Sequence, residues 1–471
     1  EMLEGFSNKG MITVALLFLV SEGIRQSGTL GQVIKKLLPQ GKTTVFKAQL
    51  RILPSVAFIS AFLNNTPVVV IFAPIIKHWA KSVKLPATKF LIPLSYVTIL
   101  GGICTLIGTS TNLVVHGMIL EAGYEGFTMF ELGKVGIFIA IAGIIYLFIF
   151  SKRLLPDARP DTAVPDEEVE EGEKLHRVEA VLGARFPGIN KKLSDFNFQR
   201  HYGAEVKEIK TRNGQRYVDH LEDVVLREGD TLVVMADDTF IPTWGESSVF
   251  VLLTNGNDPD TSGKKKRWLA LILLVLMIVG ATVGELPATK EMFPDIKLDM
   301  FFFVSITTII MAWTNLFPAR KYTKYISWDI LITIACAFAI SKAMVNSGVA
   351  DSVAKFIIGL SDDYGPHVLL AMVFIITNLF TELITNNAAA ALAFPLALSI
   401  SAQLGVSPTP FFVVICMAAS ASFSTPIGYQ TNLIVQGIGN YKFTDFVRIG
   451  LPLNIITFLI SVILVPLIWN F

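Results

Sequence analysis

Charged residues are scarce in this 471-residue chain, and several long segments contain none. Only 16% of the residues are Asp, Glu, Lys or Arg, while 52% are hydrophobic, against roughly a quarter charged in soluble domains. The uncharged segments are 52–76, 90–120, 300–319 and 383–441. The last is long enough for two bilayer crossings at about 20 residues each. This pattern excludes an ordinary soluble core and predicts a polytopic α-helical membrane protein.

Cysteines and catalytic clusters are also few. Cys104, Cys336 and Cys416 lie in apolar segments without metal-ligand spacing, so we expect small buried hydrophobic residues. We find no Ser/His/Asp, Cys/His or metal pattern and no nucleotide-binding glycine loop. The net charge of +1 gives no sign of a nucleic-acid partner. We therefore expect neither an enzyme nor an organic cofactor, and no binding to nucleic acid.

The two ends of the chain repeat each other. Thr111 and Asn112 recur 320 positions later as Thr431 and Asn432, and the pair Asn64–Asn65 recurs as Asn386–Asn387 at an offset of 322. An apolar duplication with polar, Gly/Pro-broken segments at matching places is typical of secondary transporters with inverted repeats. We assign membrane repeat one to 1–151 and membrane repeat two to 268–471.

The intervening range 152–267 has a different composition. It contains the acidic run PDEEVEEGEK at 165–174 and the strand-like runs RVEAVLG, AEVKEIKT and DTLVVMAD. We expect a short helix ending at Gly203 and a turn at Glu228–Gly229–Asp230 before the third strand. Basic residues at 152–153 and 264–267 flank the insert, which favours the cytoplasm. We therefore expect a protein of the inner or plasma membrane with a small α+β insert in the cytoplasm.

Residues from about 175 to 238 resemble the regulatory C-terminal domain of TrkA-type potassium-transport subunits (the RCK C-terminal domain). The turn and strand at 226–234 carry most of this resemblance. A second copy would begin near Trp244 and is incomplete. The resemblance implies dimerisation and, as in some relatives, a small nucleotide ligand. The alternative is a passive bridge between the two membrane repeats.

The segment FLNNTPVVVIFAPI predicts a re-entrant hairpin. The apolar runs on both sides of Asn64–Asn65–Thr66 are too short to span comfortably, and polar backbone at membrane depth requires protein or water around it. The helix beginning near Pro67 would present free N–H groups and the positive end of its dipole to an anion. Asn386–Asn387, ahead of another apolar helix, predicts a second tip of the same kind.

A second pair of segments predicts helices broken at mid-membrane. These are GTSTN at Gly108–Asn112 and TPIGYQTN at Thr425–Asn432. Glycine and proline interrupt the helical hydrogen bonds, which leaves hydroxyl and carbonyl oxygens free. Such oxygens suit Na⁺, a hard cation, and unwound carbonyls beside helix N-termini recur in transporters.

Together these motifs resemble the divalent anion/sodium symporter family of the ion transporter superfamily. The resemblance implies an elevator-type homodimer in the lipid bilayer, with an anion between the tips and a sodium ion beside each tip. The implied anion-binding residues are Asn64, Asn65, Thr66, Thr109, Ser110, Asn386, Asn387 and Thr425. The implied sodium-binding residues are Asn65, Gly108, Asn112, Asn387, Ser424 and Asn432.

Departures from that family's pattern change which substrate we predict. Asn replaces the first Ser of each tip, and Ala388 replaces a Thr, so one hydroxyl is missing near the anion. The TrkA-like insert resembles the sulfate-transporting branch, and we favour sulfate over a dicarboxylate. A sodium/proton antiporter of the same superfamily is a further alternative, while a ligand-gated channel lacks a pore loop or charged ring.

Two ionisable residues are candidates for coupling. Glu382 lies one turn before the second tip, and His116 follows the first break. An ionisable group in an uncharged segment is a functional candidate by default. The alternatives are a membrane-edge position for Glu382 and a hydrogen-bonded structural role for His116.

Overall fold

The computed structural model describes most of the chain and is mainly helical. The described residues are 4–157, 176–183, 185–211, 215–237, 240, 244, 249–254, 264–293, 296–359 and 365–471. The acidic run at 165–174 lies outside them, and so do most of the residues between Trp244 and Lys264, where the incomplete second TrkA-like copy would begin.

Seven α-helices lie in the described part of the first half. They are α1 (Lys9–Gln26), α2 (Thr29–Leu37), α3 (Val45–Ser60), α4 (Asn65–Ser82), α5 (Leu91–Gly102), α6 (Ser110–Glu121) and α7 (Gly133–Leu154). Gly28, with φ +72°, makes the left-handed turn between α1 and α2, a conformation that glycine adopts at little cost. The predicted tip and break fall between α3 and α4 and between α5 and α6.

The second half has corresponding helices in the same order. The described helices after the insert are α9 (Lys264–Gly284), α10 (Pro287–Met292), α11 (Met300–Trp313), α12 (Tyr322–Tyr325), α13 (Trp328–Asn346), α14 (Val349–Gly359), α15 (Gly365–Leu383), α16 (Asn386–Leu404), α17 (Thr409–Ser420), α18 (Gln430–Gly439) and α19 (Phe443–Ile468). Gly348, also at φ +72°, repeats the turn of Gly28 between α13 and α14.

The two halves pack in matching ways and across each other. Helix α3 packs on α5 as α15 packs on α17, and α5 packs on α7 as α17 packs on α19. Between the halves, α4 packs on α18 and α16 packs on α6. This crosswise packing brings both tips and both breaks to the centre of one apolar core.

Five helices among the described residues are long and apolar enough to cross a membrane. They are Gly133–Leu154, Lys265–Gly284, Gly365–Leu383, Asn386–Leu404 and Phe443–Ile468, and a bent pair within 319–346 would make a sixth. On α7, Ile137, Ile141 and Ile145 form an exposed stripe at i, i+4 spacing. A continuous exposed apolar surface of this kind fits contact with lipid. The chain is therefore a helical membrane protein.

One local expectation requires correction, and the two hairpins differ in length. Both arms of the second hairpin, α15 and α16, are long enough to cross a membrane, whereas neither arm of the first, α3 or α4, is among the five long apolar helices. Cys336 is exposed, whereas Cys416 is buried and Cys104 half-buried, because Cys336 lies on an outward face of α13.

The insert is a small α+β unit. Its antiparallel sheet has the order β3-β2-β4-β1-β5, with β1 (His176–Leu182), β2 (Glu205–Lys210), β3 (Arg216–Tyr217), β4 (Thr231–Ala236) and β5 (Phe250–Thr254). The predicted helix is short, α8 (Phe198–Tyr202), and ends at Gly203 with φ +69°. The three predicted strands are confirmed as β1, β2 and β4. Aromatic residues around Phe186 form a separate core.

Candidate anion and sodium site

Four helices begin around one central cavity of about 450 Å³. They are α4, α6, α16 and α18, starting at Asn65, Ser110, Asn386 and Gln430. The first N–H groups of a helix have no intrahelical acceptor. Side chains cap only α16 among these four, where Thr385 Oγ1 accepts from the Ala388 N–H at 3.4 Å. The other three helices leave free amides and positive dipole ends near the cavity, which favours an anion.

Polar, uncharged side chains supply most of the cavity's hydrogen-bonding groups. Of the predicted anion-binding residues, Asn64, Thr66, Ser110, Asn386 and Asn387 line the cavity. None of the described lining residues is Lys, Arg or His. The attraction for an anion must therefore come from backbone amides and neutral side chains, together with any bound cation.

The lining also includes two acidic residues, Glu22 and Glu228. The Glu22 carboxylate is paired with Arg25 at 2.6 Å, so part of its charge is compensated locally.

The cavity lining does not include the remaining predicted anion-binding residues, Asn65, Thr109 and Thr425. Asn65 is fully buried, and its Oδ1 accepts a hydrogen bond from Ser60 Oγ at 2.7 Å. Ser60 Oγ also lies 2.9 Å from the Thr98 carbonyl oxygen. This amide is fixed by the helix that precedes the tip.

The second half repeats this arrangement with Asn386. Thr381 Oγ1 lies 2.7 Å from Asn386 Oδ1 and 2.6 Å from the Ala419 carbonyl oxygen. Asn386, rather than Asn387, therefore corresponds to Asn65, and the offset at the tip is 321 residues instead of 322. Asn387 Oδ1 accepts instead from Ser110 and Thr111 of the first half, at 3.3 and 3.2 Å.

One asparagine holds each broken segment open. Asn112 Nδ2 donates to the Thr105 carbonyl at 2.9 Å and lies 3.5 Å from that of Gly102. Asn432 Nδ2 donates to the carbonyls of Ser422 and Thr425 at 2.8 and 3.1 Å. The amides thus replace part of the hydrogen bonding that the interrupted helices lose.

Glycines at the first break allow backbone and amide oxygen atoms to lie close together. A Cβ on Gly102 would lie 2.6 Å from Asn65 Oδ1, and a Cβ on Gly108 would lie 2.5 Å from the Gly102 carbonyl oxygen and 3.0 Å from that of Ala61. Only glycine permits this proximity of backbone and amide oxygens. Carbonyl and amide oxygens are the ligands that hard cations prefer.

Buried acceptors without partners occur at both breaks. Among the described residues, no hydrogen-bond partner reaches Asn112 Oδ1 at the first break, or Glu382 Oε2 and Asn454 Oδ1 at the second. A buried acceptor left unpaired is costly. A cation would satisfy these oxygens, so the chemistry of both places fits sodium.

The two coupling candidates lie in different places. Glu382 Oε1 accepts from the Ser424 N–H at 2.8 Å and from Asn454 Nδ2 at 2.7 Å, so Glu382 belongs to the second break. His116 lines a separate cavity of about 50 Å³ together with Glu285 and Asp299. The structure therefore brings Glu382, and not His116, to the predicted sodium-binding residues.

Two residues of the site were not predicted. The Tyr429 hydroxyl accepts from Asn65 Nδ2 and lies 3.1 Å from Thr109 Oγ1. Its signal in the sequence was the departure of GYQTN from GTSTN. Asn454 is a lone amide in the apolar helix α19, and a polar residue in such a segment is a functional candidate.

Comparison with known proteins identifies transporters. A family model described as "citrate transporter" matches residues 1–405 and 296–471. An uncharacterised transporter of Synechocystis is 30% identical over 100% of this chain and 90% of the relative. Sodium/sulfate cotransporter 2 of Chlamydomonas reinhardtii is 31% identical over 59% of this chain and 31% of the relative. Sodium-dependent dicarboxylate transporter SdcS of Staphylococcus saprophyticus is 28% identical over 34% of this chain and 33% of the relative.

Proposed function

Because the chain belongs to the citrate transporter family, we propose that it is a sodium-coupled symporter of a small anion, with sulfate as the favoured substrate. The observation that carries this proposal is the convergence of four helix N-termini on a cavity with no described cationic side chain. The similarity to sodium/sulfate cotransporters supports the choice of sulfate.

The coupling of sodium binding to anion binding follows because the two kinds of site share residues at the tips and breaks. Sodium at the first break would be held by oxygens around Asn65, Gly108 and Asn112, and sodium at the second by those around Ser424 and Glu382. Each ion would add positive charge beside a helix N-terminus where the anion binds. Anion binding without sodium would be weak because no described lining side chain carries a positive charge. The two solutes would therefore bind cooperatively.

We propose that residues 1–151 and 268–471 form inverted repeats that work as an elevator within a homodimer. The insert, 152–267, is proposed to be a TrkA C-terminal-like domain on the cytoplasmic side of the inner or plasma membrane. A cavity of about 360 Å³ in the insert, lined by Tyr217, His220 and Arg227 among others, is where a small nucleotide ligand would bind.

Two alternatives remain within the same superfamily. A dicarboxylate is the first, and the dicarboxylate transporter among the relatives supports it. A sodium/proton antiporter is the second, and the position of the half-buried Glu382 at the second break supports it. The first would show competition by succinate or citrate, and the second would show a requirement for a proton gradient.

The test is radiolabelled sulfate uptake into proteoliposomes under an inward sodium gradient, compared with an equal potassium gradient. We expect uptake only with sodium, and no competition from unlabelled succinate or citrate. Competition by either acid would reassign the substrate. Uptake that requires an opposing proton gradient would overturn symport in favour of the antiporter.

A further inference from the structure

The insert contacts the anion cavity itself. Glu228, in the turn that precedes β4, is one of the residues lining the central cavity. The neighbouring Gly229 is buried although it lies in a turn of the insert. A Cβ on Gly229 would lie 3.2 Å from Leu433 Cδ2, and Leu433 lines the cavity as well. The turn thus occupies the edge of the cavity between the insert and α18.

The turn is held rigidly on the insert. The Leu182 N–H donates to the Asp230 carbonyl at 2.8 Å, and the Gly229 N–H donates to the Leu182 carbonyl at 2.9 Å. Asp230 Oδ2 accepts from the Arg227 N–H at 2.8 Å. Gly229 has φ +83°, which favours glycine. Because the turn is fixed to β1, it should move only when the insert moves.

A second contact lies further along α18. A Cβ on Gly437 would lie 2.5 Å from Thr231 Oγ1 and 3.6 Å from Val181 Cγ2. The helix therefore approaches the sheet closely at a glycine, just as the turn approaches the helix at Gly229. Helix α18 begins at the second break, so this interface joins the insert to the candidate site.

A third contact is an ion pair to the first hairpin. Lys77 Nζ on α4 lies 3.0 Å from Glu179 Oε2 on β1, and the buried Lys210 lies 3.3 Å from the same carboxylate. Helix α4 begins at the first tip. The insert is therefore attached to the helices that follow both the first tip and the second break.

We propose that the docked insert is an autoinhibitory domain that closes the edge of the anion cavity with the turn Arg227–Asp230. The Glu228 carboxylate adds negative charge where an anion would enter, and the contacts with α4 and α18 resist relative movement of the site helices. Release of the insert opens the cavity and permits transport. The inhibition of transport rests on the proposed function, whereas the closure of the cavity does not.

The test compares two charge reversals one turn apart on α4, in purified protein with its three native cysteines replaced. Lys77→Glu places two carboxylates together and should release the insert, whereas Lys81→Glu makes the same change at an exposed lysine. The readout is the rate of maleimide labelling of Thr385→Cys, since Thr385 is exposed in the cavity. We expect Lys77→Glu to raise this rate at least about fivefold, as loss of an ion pair allows, and Lys81→Glu to leave it unchanged.

A disulfide provides the opposite perturbation. Thr231→Cys with Gly437→Cys should cross-link the insert to α18, slow labelling of Thr385→Cys as measured on its own peptide, and suppress sulfate uptake until the bond is reduced. Equal labelling in oxidised and reduced protein, with no increase in Lys77→Glu, would overturn the closure. Changed labelling in the variants, with no sulfate uptake by the unmodified protein, would support the closure and refute the proposed transport function instead.

Discussion

Tyr429 accepts a hydrogen bond from the side-chain amide of Asn65, although 364 residues separate them. Both residues are buried, and the tyrosine lies at the N-terminus of α18 while the asparagine begins α4. The bond therefore connects the break of one half with the tip of the other. It fixes the Asn65 amide so that its Oδ1 faces Ser60 and the oxygen-rich first break.

Tyr429→Phe should weaken sodium binding while the protein still folds. The substitution leaves the Asn65 N–H without this acceptor, and an unpaired buried donor costs roughly 1–3 kcal/mol. We expect the sodium concentration for half-maximal uptake to rise about tenfold or more. Tyr146→Phe is the control, since it loses a comparable bond to the Ile449 carbonyl away from the tips. Equal effects in the two variants would contradict a specific role for Tyr429.

Substitutions of the two adjacent asparagines at the second tip should have different effects, one mainly on sodium binding and the other mainly on anion binding. Asn386 occupies the position equivalent to Asn65, whereas Asn387 contacts hydroxyl groups of the first half. Asn386→Ala should mainly raise the sodium requirement, and Asn387→Ala should mainly raise the KM for sulfate, each by about tenfold. Uptake kinetics at varied sodium and varied sulfate measure both. The assignment fails if the two substitutions have the same kinetic signature.

Glu382→Gln distinguishes symport from proton exchange. Glutamine can still accept from the Ser424 N–H, but it removes the negative charge beside the second break. We expect sodium to bind more weakly at the second site, which would raise the half-saturating sodium concentration for uptake. We expect no new requirement for protons. Uptake driven by imposed pH gradients provides the check. Complete loss of a proton-driven flux present in the unmodified protein would instead support the antiporter.

Glu179 should stabilise the insert in a pH-dependent way. Its burial would raise its pKa, but the charges of Lys77 and Lys210 and the hydrogen bonds they donate outweigh this effect and lower the pKa to about 2 from the ordinary 4.5. Glu179→Gln should reduce the free energy of unfolding of the insert by about 3 kcal/mol at pH 7, because a buried lysine loses a carboxylate partner.

The pH dependence follows from the sign of that shift. A carboxylate with a lowered pKa stabilises the folded state above pH 4.5 and loses this effect as the pH falls towards 2. The difference in thermal stability between Glu179→Gln and the unmodified protein should therefore be full at pH 7 and vanish at low pH. Glu205→Gln, which removes only an exposed pair with Lys207, should change stability by less than about 1 kcal/mol. A pH-independent difference for Glu179→Gln would contradict the linkage.

Local patterns predicted much of the helical fold because they depend on neighbouring residues. Local sequence determines the backbone conformation of the uncharged runs, the Asn-Asn tips and the broken GTSTN segment. The helices begin or end at these places. The three strands β1, β2 and β4 of the insert could be predicted from the sequence in the same way. In each case, the turn residues and the apolar periodicity lie within a few positions of each other.

Contacts between distant segments could not be predicted in the same way. The partner of Asn65 is a tyrosine from the other half, and Glu228 reaches the cavity through the docking of the whole insert. The equivalence of Asn386 and Asn65 also required the preceding Thr381 and Ser60, since two adjacent asparagines permit either alignment. Such relationships depend on how complete elements pack, which periodicity within one element does not encode.

Because α4 packs on α18 and α16 packs on α6, each candidate binding site is formed by residues from both halves of the chain. A substitution in one half alters the surroundings of the other half's amides, so the two copies cannot diverge independently. In the proposed symporter, sodium dependence and anion selectivity would consequently depend on both halves of the chain. Separately expressed halves would each be inert, and activity would return only when both assemble together.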